Sequence, residues 1–287
     1  MSDKFQGQWL VSEYVFEQDG RFIGIVHQKR RVIPQDNGKI RVIQDCYPDA
    51  ALASHAMQSF AGHWEFDLMV EGRNRHYLGP AVVGIGQAWG KNATTGKGIW
   101  PKFGHNFQSF GIVPEVNRQL TGGSFYNAQE VIAKIIGLAY PEEQGSENEW
   151  PMFPENYQAA LISKRWTGIA YRYDAMGKEM GEFRIQKEID DLNEQDLYQN
   201  DESIHLMSDS GILQGQYAYK AEVSELYGKQ KQYGPYTERV LFDALGREIQ
   251  YQMILDADKK QLLFIKKYHD YRHGETFTEI GILSVAS

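Results

Sequence analysis

Apolar and polar residues alternate with period two along much of this chain. Trp64, Phe66, Leu68 and Val70 alternate with His63, Glu65, Asp67 and Met69. Successive side chains of an extended strand point to opposite faces, so this segment predicts a strand with one apolar and one mostly polar face. Ile249, Tyr251, Met253 and Leu255 repeat the pattern against Glu248, Gln250, Gln252 and Ile254; Phe183, Ile185, Lys187 and Ile189 do so less cleanly. Gly20, Gly72, Gly177 and Gly246 fall between such runs and predict hairpin turns, as does the stretch Asp256, Ala257, Asp258. One segment reads differently. In NAQEVIAKIIGLA, residues 127–139, Asn127 stands as an N-cap with Glu130 three residues on, and Val131, Ile132, Ile135, Ile136 and Leu138 make an apolar side. That pattern predicts a short helix covering a sheet edge or plugging a barrel end.

The chain also repeats itself. GQWLVSEYVFEQDGRFIG begins at Gly7 and SKRWTGIAYRYDAMGKEMG at Ser163. Aligning Trp9 with Trp166 brings Tyr14 onto Tyr171, Phe16 onto Tyr173, Gly20 onto Gly177 and Gly24 onto Gly181, all at an offset of 157. Phe60–Trp64 resembles Leu213–Tyr217, and Gly79-Pro80 resembles Gly234-Pro235, at slightly smaller offsets, as loop insertions produce. The expectation is an internal duplication, with units at 1–150 and 160–287 and a linker rich in Glu, Gly, Asn and Pro from Pro141 to Asn156.

Composition narrows the class. Of 287 residues, 42% are hydrophobic, enough for a large core, and the 13% aromatic content with 28 Gly suits strands and turns. A formal net charge of −8 disfavours a general nucleic-acid binder, because phosphate backbones reward a positive surface. The single cysteine, Cys46, excludes an intrachain disulfide and a cysteine-based zinc cluster, and reads as buried filler. No secretory signal and no apolar run long enough to span a bilayer are evident, so a cytoplasmic protein without integral membrane association is expected. The acidic stretch 188–202 reads as a solvated loop.

Many short strands with a tryptophan near the start of each unit resemble the calycin superfamily, which includes lipocalins and fatty-acid-binding proteins. The resemblance rests on Gly7, Gln8, Trp9 in the first unit and Lys164, Arg165, Trp166 in the second, where Lys164 departs from the G-x-W element that closes such barrels. It implies an all-β chain of two tandem antiparallel β-barrels of lipocalin-like type, with an internal cavity and the one helix near 127–139. Barrels of this kind serve both binding proteins and enzymes, so fold alone leaves function open.

Candidate chemistry gathers at a few places. His63, Glu65 and Asp67 share one strand face, about 7 Å apart in succession. Facing the interior they would supply a general acid, a base and a polar anchor; facing water they would leave Trp64 and its neighbours to the core. Arg73, Arg75 and Tyr77 share a face, where an arginine can pair with a carboxylate or phosphate; an exposed hairpin tip is the alternative. The glycine-rich stretch Gly84–Gly104 lacks both the P-loop and the dinucleotide pattern and reads as a loop over a barrel mouth, with Trp89 and Trp100 covering an apolar ligand. His105, Asn106 and Tyr126 lie in the unit's last strand region. His269, Tyr271 and His273 share a face, but one strand's residues seldom encircle a metal.

These residues define the expected site: His63, Glu65, His105 and Tyr126 for proton transfer, and Trp64, Arg75, Trp89, Trp100 and Asn106 for ligand contact, with no metal and no cofactor. The expected function is binding of a small apolar or amphipathic molecule in a barrel cavity. The alternatives are an isomerase, cyclase or hydratase using general acid-base catalysis on such a molecule, and a structural or chaperone-like module with filled barrels. A homo-oligomer is compatible with each.

Overall fold

In a computed structural model of the chain, the described residues are 3–115, 117–128, 130–144, 150–153, 164–189, 193–198, 203–208, 216–221, 224–243, 246–256 and 260–286. The chain divides into two compact units, Met1–Met152 and Phe153–Ser287. The first contains β1 (Gly7–Phe16), β2 (Phe22–Pro34), β3 (Lys39–Pro48), β4 (Gly62–Glu71), β5 (Asn74–Pro80), β6 (Val83–Trp89), β7 (Ala93–Trp100), β8 (His105–Glu115), β9 (Arg118–Asn127) and β10 (Glu130–Pro141). Each strand pairs antiparallel with its chain neighbours, and β10 returns to β1, with Tyr14 opposite Ile136, so the ten strands close into a barrel. Short 3-10 turns precede β1 at Asp3–Phe5 and join β3 to β4 at Ala50–Leu52 and Ala56–Phe60.

The alternation of the sequence becomes the inside and outside of this barrel. On β4, Trp64, Phe66 and Leu68 are buried in the core, with Val15, Val26, Val42 and Phe125 among their companions, while His63, Glu65 and Asp67 lie on the other face. The turn glycines are real turns: Gly20 and Gly72 take φ of +94° and +60°, the left-handed region that a side chain resists.

The second unit contains β11 (Lys164–Asp174), β12 (Glu179–Ile189), β13 (Asn193–Tyr198), β14 (Ser203–Ser208), β15 (Gln216–Ala221), β16 (Ser224–Tyr233), β17 (Tyr236–Asp243), β18 (Arg247–Asp256), β19 (Gln261–Asp270) and β20 (Glu275–Val285). Its first hairpin carries the register of the first unit's. Trp9 pairs with Arg30 and Tyr14 with Ile25, with a register shift between Val15 and Phe16. Trp166 pairs with Lys187 and Tyr171 with Glu182, with a shift between Arg172 and Tyr173. Each paired residue is displaced by the same 157 positions.

The expected fold class needs correction on two counts. First, 127–139 is not a helix; nearly all of it lies in β10, paired to both β1 and β9. Ala133 to Ala139 are buried without a break, so this strand is covered on both faces and shows no period-two pattern. Its apolar run, broken only by Lys134 between Val131 and Ala139, satisfies helical spacing equally well. Second, the units are not two tandem lipocalin-like barrels. The closed first unit has ten strands, where lipocalins have eight. In the second, side chains are described only on β11, β12 and from Lys231 of β16 through β20. Its ladder nonetheless runs from β11 through β20 and returns to β11, so these ten strands close as well, and the interior of this second barrel is described only along those seven strands.

The glycine-rich stretch is corrected too. Residues 83–100 are the hairpin β6–β7, not a loop over a mouth. Leu213, Gln214 and Gly215 of the repeat, 190–192 and 199–202 of the acidic stretch, and Ala257 and Asp258 of the expected turn lie outside the described residues. No helix among the described residues is long and apolar enough to cross a membrane.

Candidate functional site

The barrel of the first unit holds a partly open cavity of about 220 Å³. A single water occupies roughly 10–15 Å³ on such a measure, so this space is far larger than a hydration site. Three neighbouring strands explain its polar wall. Their inward stripes read Trp9, Val11, Glu13, Val15 on β1; Val26, Gln28, Arg30, Val32 on β2; and Ile40, Val42, Gln44, Cys46 on β3. In each stripe polar residues interrupt an apolar series. The barrel brings the interruptions together: Arg30 Nη2 lies 3.3 Å from Glu13 Oε1 and 3.0 Å from Gln28 Oε1, which also accepts from Gln44 Nε2 at 3.3 Å. Burial pushes the Glu13 carboxyl above its ordinary pKa; Arg30 and a hydrogen bond from Gln28 pull it back.

Opposite stands a wall built on missing side chains. Gly86 and Gly96 pair across β6 and β7, and a β-carbon at Gly86 would come within 3.3 Å of both Arg75 Cβ and Tyr77 Cε2. Tyr77 therefore lies across these strands and reaches β8, where its hydroxyl hydrogen-bonds Ser109. Burial pushes the Tyr77 phenol up. Around it, Phe66, Trp100 and Phe107 complete an aromatic lining, with centroid separations of 6.0 Å for Phe66–Tyr77, 5.6 Å for Phe66–Trp100 and 5.7 Å for Tyr77–Phe107. Phe60 contributes a further ring from the turn between β3 and β4, 5.1 Å from Trp100.

Arg75 is 5% exposed and lines the cavity. Its Nη1 donates to the carbonyls of Gly72 and Asn74, at 3.1 and 2.9 Å, while its Nε has no partner. No carboxylate among the described residues pairs with it, and burial lowers its pKa. Glu13 and Arg30 offset one another, which leaves Arg75 as the uncompensated charge of this interior. Arg30 Nε, Gln44 Oε1, Gln119 Nε2 and Thr121 Oγ1 are likewise buried without hydrogen-bond partners, and all four residues line the same cavity. Such atoms are rare in folded interiors, because each forfeits its bonds to water.

The residues singled out from the sequence fall at different places. Arg75 and Trp100 line the cavity. Trp64 is buried in the core, where Nε1 donates to the Phe60 carbonyl at 2.8 Å, and Trp89 is buried with Nε1 on Thr95 Oγ1 at 2.9 Å. His63 and Glu65 lie on the outer face. His63 Nδ1 sits 2.7 Å from Asp45, and Glu65 pairs with Arg41 at 2.9 Å. His105 packs its ring 4.4 Å from Phe103 and bonds the backbone of Tyr126; burial lowers its pKa. Tyr126 is half-buried on β9 and Asn106 is exposed on β8. Cys46 is buried in the core, which pushes its thiol up. Glu13, Gln28, Arg30, Gln44, Gln119 and Thr121 were not anticipated. The one signal for the first four is a polar residue inside an inward apolar stripe. Among the described residues no group of three potential ligands could hold a metal ion.

No family model and no curated protein matches the chain. Among solved structures, it is similar to a protein of unknown function from the DUF3598 family of Nostoc punctiforme PCC 73102. That likeness has a TM-score of 0.55 at 10% identity and covers 99% of this chain and 97% of that one. It shows a shared fold alone. A transferrin-binding protein B of Haemophilus parasuis (TM-score 0.23, 6% identity, 98% of this chain and 76% of that one) and a porin of Rh. blastica (0.20, 9%, 97% and 98%) align too loosely to support any argument. The closed antiparallel barrel agrees broadly with a calycin-type architecture.

Proposed function

We propose that the first barrel binds a small amphipathic molecule whose polar head carries negative charge. One observation supports this most: five buried polar atoms without partners, on Arg30, Gln44, Arg75, Gln119 and Thr121, share one cavity with an aromatic lining. A ligand offering acceptors to the two Nε–H groups and the Gln119 amide would satisfy those three, a donor on it would meet Gln44 Oε1, and a negative head would balance Arg75. The position of the groups orients the molecule. Arg75 and Gln119 lie at the starts of β5 and β9, at one end of the barrel, whereas Phe60, Trp100 and Phe107 lie toward the other. The head meets the former and the apolar body the latter. A filled structural barrel would not leave such a void.

Exposing the protein to a mixture of small amphipathic acids, amines and neutral analogues, then analysing the retained fraction by native mass spectrometry, tests the reading. Acids should be retained at one per chain. Retention of none, or of neutral compounds equally well, overturns it.

A second reading, proton transfer on the bound molecule, draws on Glu13, a buried carboxyl at the cavity with a raised pKa. It predicts exchange of an acidic C–H of a retained ligand with deuterium in wild-type protein but not in Glu13→Gln; equal exchange in both removes it.

A further inference from the structure

The two ends of the first barrel are covered in different ways. At the end where β3 leads into β4, the segment 49–61 is sewn into the barrel. The Asp49 amide donates to the Ile25 carbonyl at 2.9 Å, and Asp49 accepts from Ile25 N at 2.9 Å and from Ala51 N at 3.1 Å. His55 Nδ1 accepts from Met57 N, and Leu52, Met57 and Phe60 are 0, 0 and 2% exposed. Gly24 is cut to fit this segment, since a β-carbon there would sit 2.7 Å from Asp49 and 2.8 Å from Leu52.

At the opposite end stands the short turn Asp3–Phe5. Phe5 lines the cavity and lies 3.5 Å from where a β-carbon of Gly111 would be. Lys4 Nζ donates to Asn92 Oδ1 at 2.8 Å, fastening the turn to the β6–β7 connection. Two residues after Phe5, Gly7 takes φ of +115°, a conformation open to glycine, so the chain can pivot here with little steric resistance. This is also the end at which Arg75 and Gln119 lie.

We propose that ligand exchanges through this end and that Phe5 is the gate, latched by Lys4 on Asn92. The inference rests on the cavity-binding reading. A swing of the turn about Gly7 removes one aromatic ring and breaks the half-buried Lys4–Asn92 bond and the Trp9 Nε1 bond to the Gln6 carbonyl. Opening the other end requires extracting three fully buried side chains and several backbone hydrogen bonds. The molecule would arrive apolar end first, leaving its charged head beside Arg75, under Phe5.

Stopped-flow fluorescence with anilinonaphthalene sulfonate, an aromatic amphipathic anion, on the full chain tests this. Phe5→Ala should raise both association and dissociation rate constants, by about tenfold or more, the factor that about 1.4 kcal/mol of barrier supplies. Lys4→Ala, which leaves the cavity wall intact, should raise both by the same smaller factor with Kd unchanged. Met57→Ala, at the other end, should leave both rates as in wild type. Unchanged association in both N-terminal variants, or acceleration in Met57→Ala instead, overturns the gate. Binding that persists in wild type but ignores Arg75→Met fails the cavity reading, a result distinct from any change in rates.

Discussion

The Tyr77 hydroxyl occupies space that any side chain at position 96 would claim: a β-carbon on Gly96 would sit 2.5 Å from Tyr77 Oη. Glycine on β7 thus permits an aromatic ring on β5 to lie across the sheet and reach Ser109. Gly96→Ala should displace Tyr77, destabilise the fold by about 1–3 kcal/mol as overpacking does, and weaken ligand retention. Urea denaturation with a binding assay checks both. A variant as stable as wild type with unaltered binding would show that Tyr77 does not need this glycine.

The Glu13 carboxyl gives a pH prediction with a defined sign. Burial raises its folded-state pKa above the ordinary 4.5. A carboxyl of this kind contributes stability that is fully present below the unfolded value and is lost as pH climbs through the folded one. Glu13→Gln should therefore gain stability relative to wild type as pH rises from below the ordinary carboxyl value of 4.5, measured by urea denaturation at a series of pH values. A pH-independent difference contradicts the burial argument.

Phe60 holds the apolar end together. It contacts Trp64, Trp100, Phe103 and Phe125 with centroids 5.1–5.6 Å apart. Phe60→Ala should cost about 3–5 kcal/mol and enlarge the cavity, so that bulkier ligands are retained. A loss under about 1 kcal/mol in calorimetry would mean that the segment collapses into the void.

His63 is the contrasting case. Its ring is 56% exposed beside Asp45. His63→Ala should change stability by less than about 1 kcal/mol and leave ligand retention unaltered. A loss of retention would place function on the outer face.

These contrasts show what the sequence could convey. Strand periodicity was legible wherever one face meets water, as on β4, and the turn glycines followed from it. β10 was not legible as a strand, because both its faces are buried and the alternation that marks a strand disappears. The glycines of β6 and β7 looked like a loop because their purpose lies in other strands: Gly86 and Gly96 make room for Tyr77, and Gly86 also for Arg75, while Gly84 and Gly98 let the two backbones approach. Of the residues lining the cavity, Arg75 and Trp100 were singled out in the sequence, Trp100 as part of a loop that is instead a strand. Glu13, Arg30 and Gln44 were not, since they lie on three different strands and only the pairing of those strands assembles them. A sequence search for polar residues inside inward apolar stripes on consecutive strands would have found all three.

The uncompensated charge of Arg75 is the centre of this account, and titrating wild type and Arg75→Met with an anionic amphipathic probe and its neutral isostere tests it most directly. The substitution should weaken the anion by about tenfold or more, leave the neutral isostere nearly unchanged, and leave thermal stability equal or higher, because a buried unpaired charge has been removed. Equal affinity for the anion in both proteins, or equal loss for both probes, would contradict it.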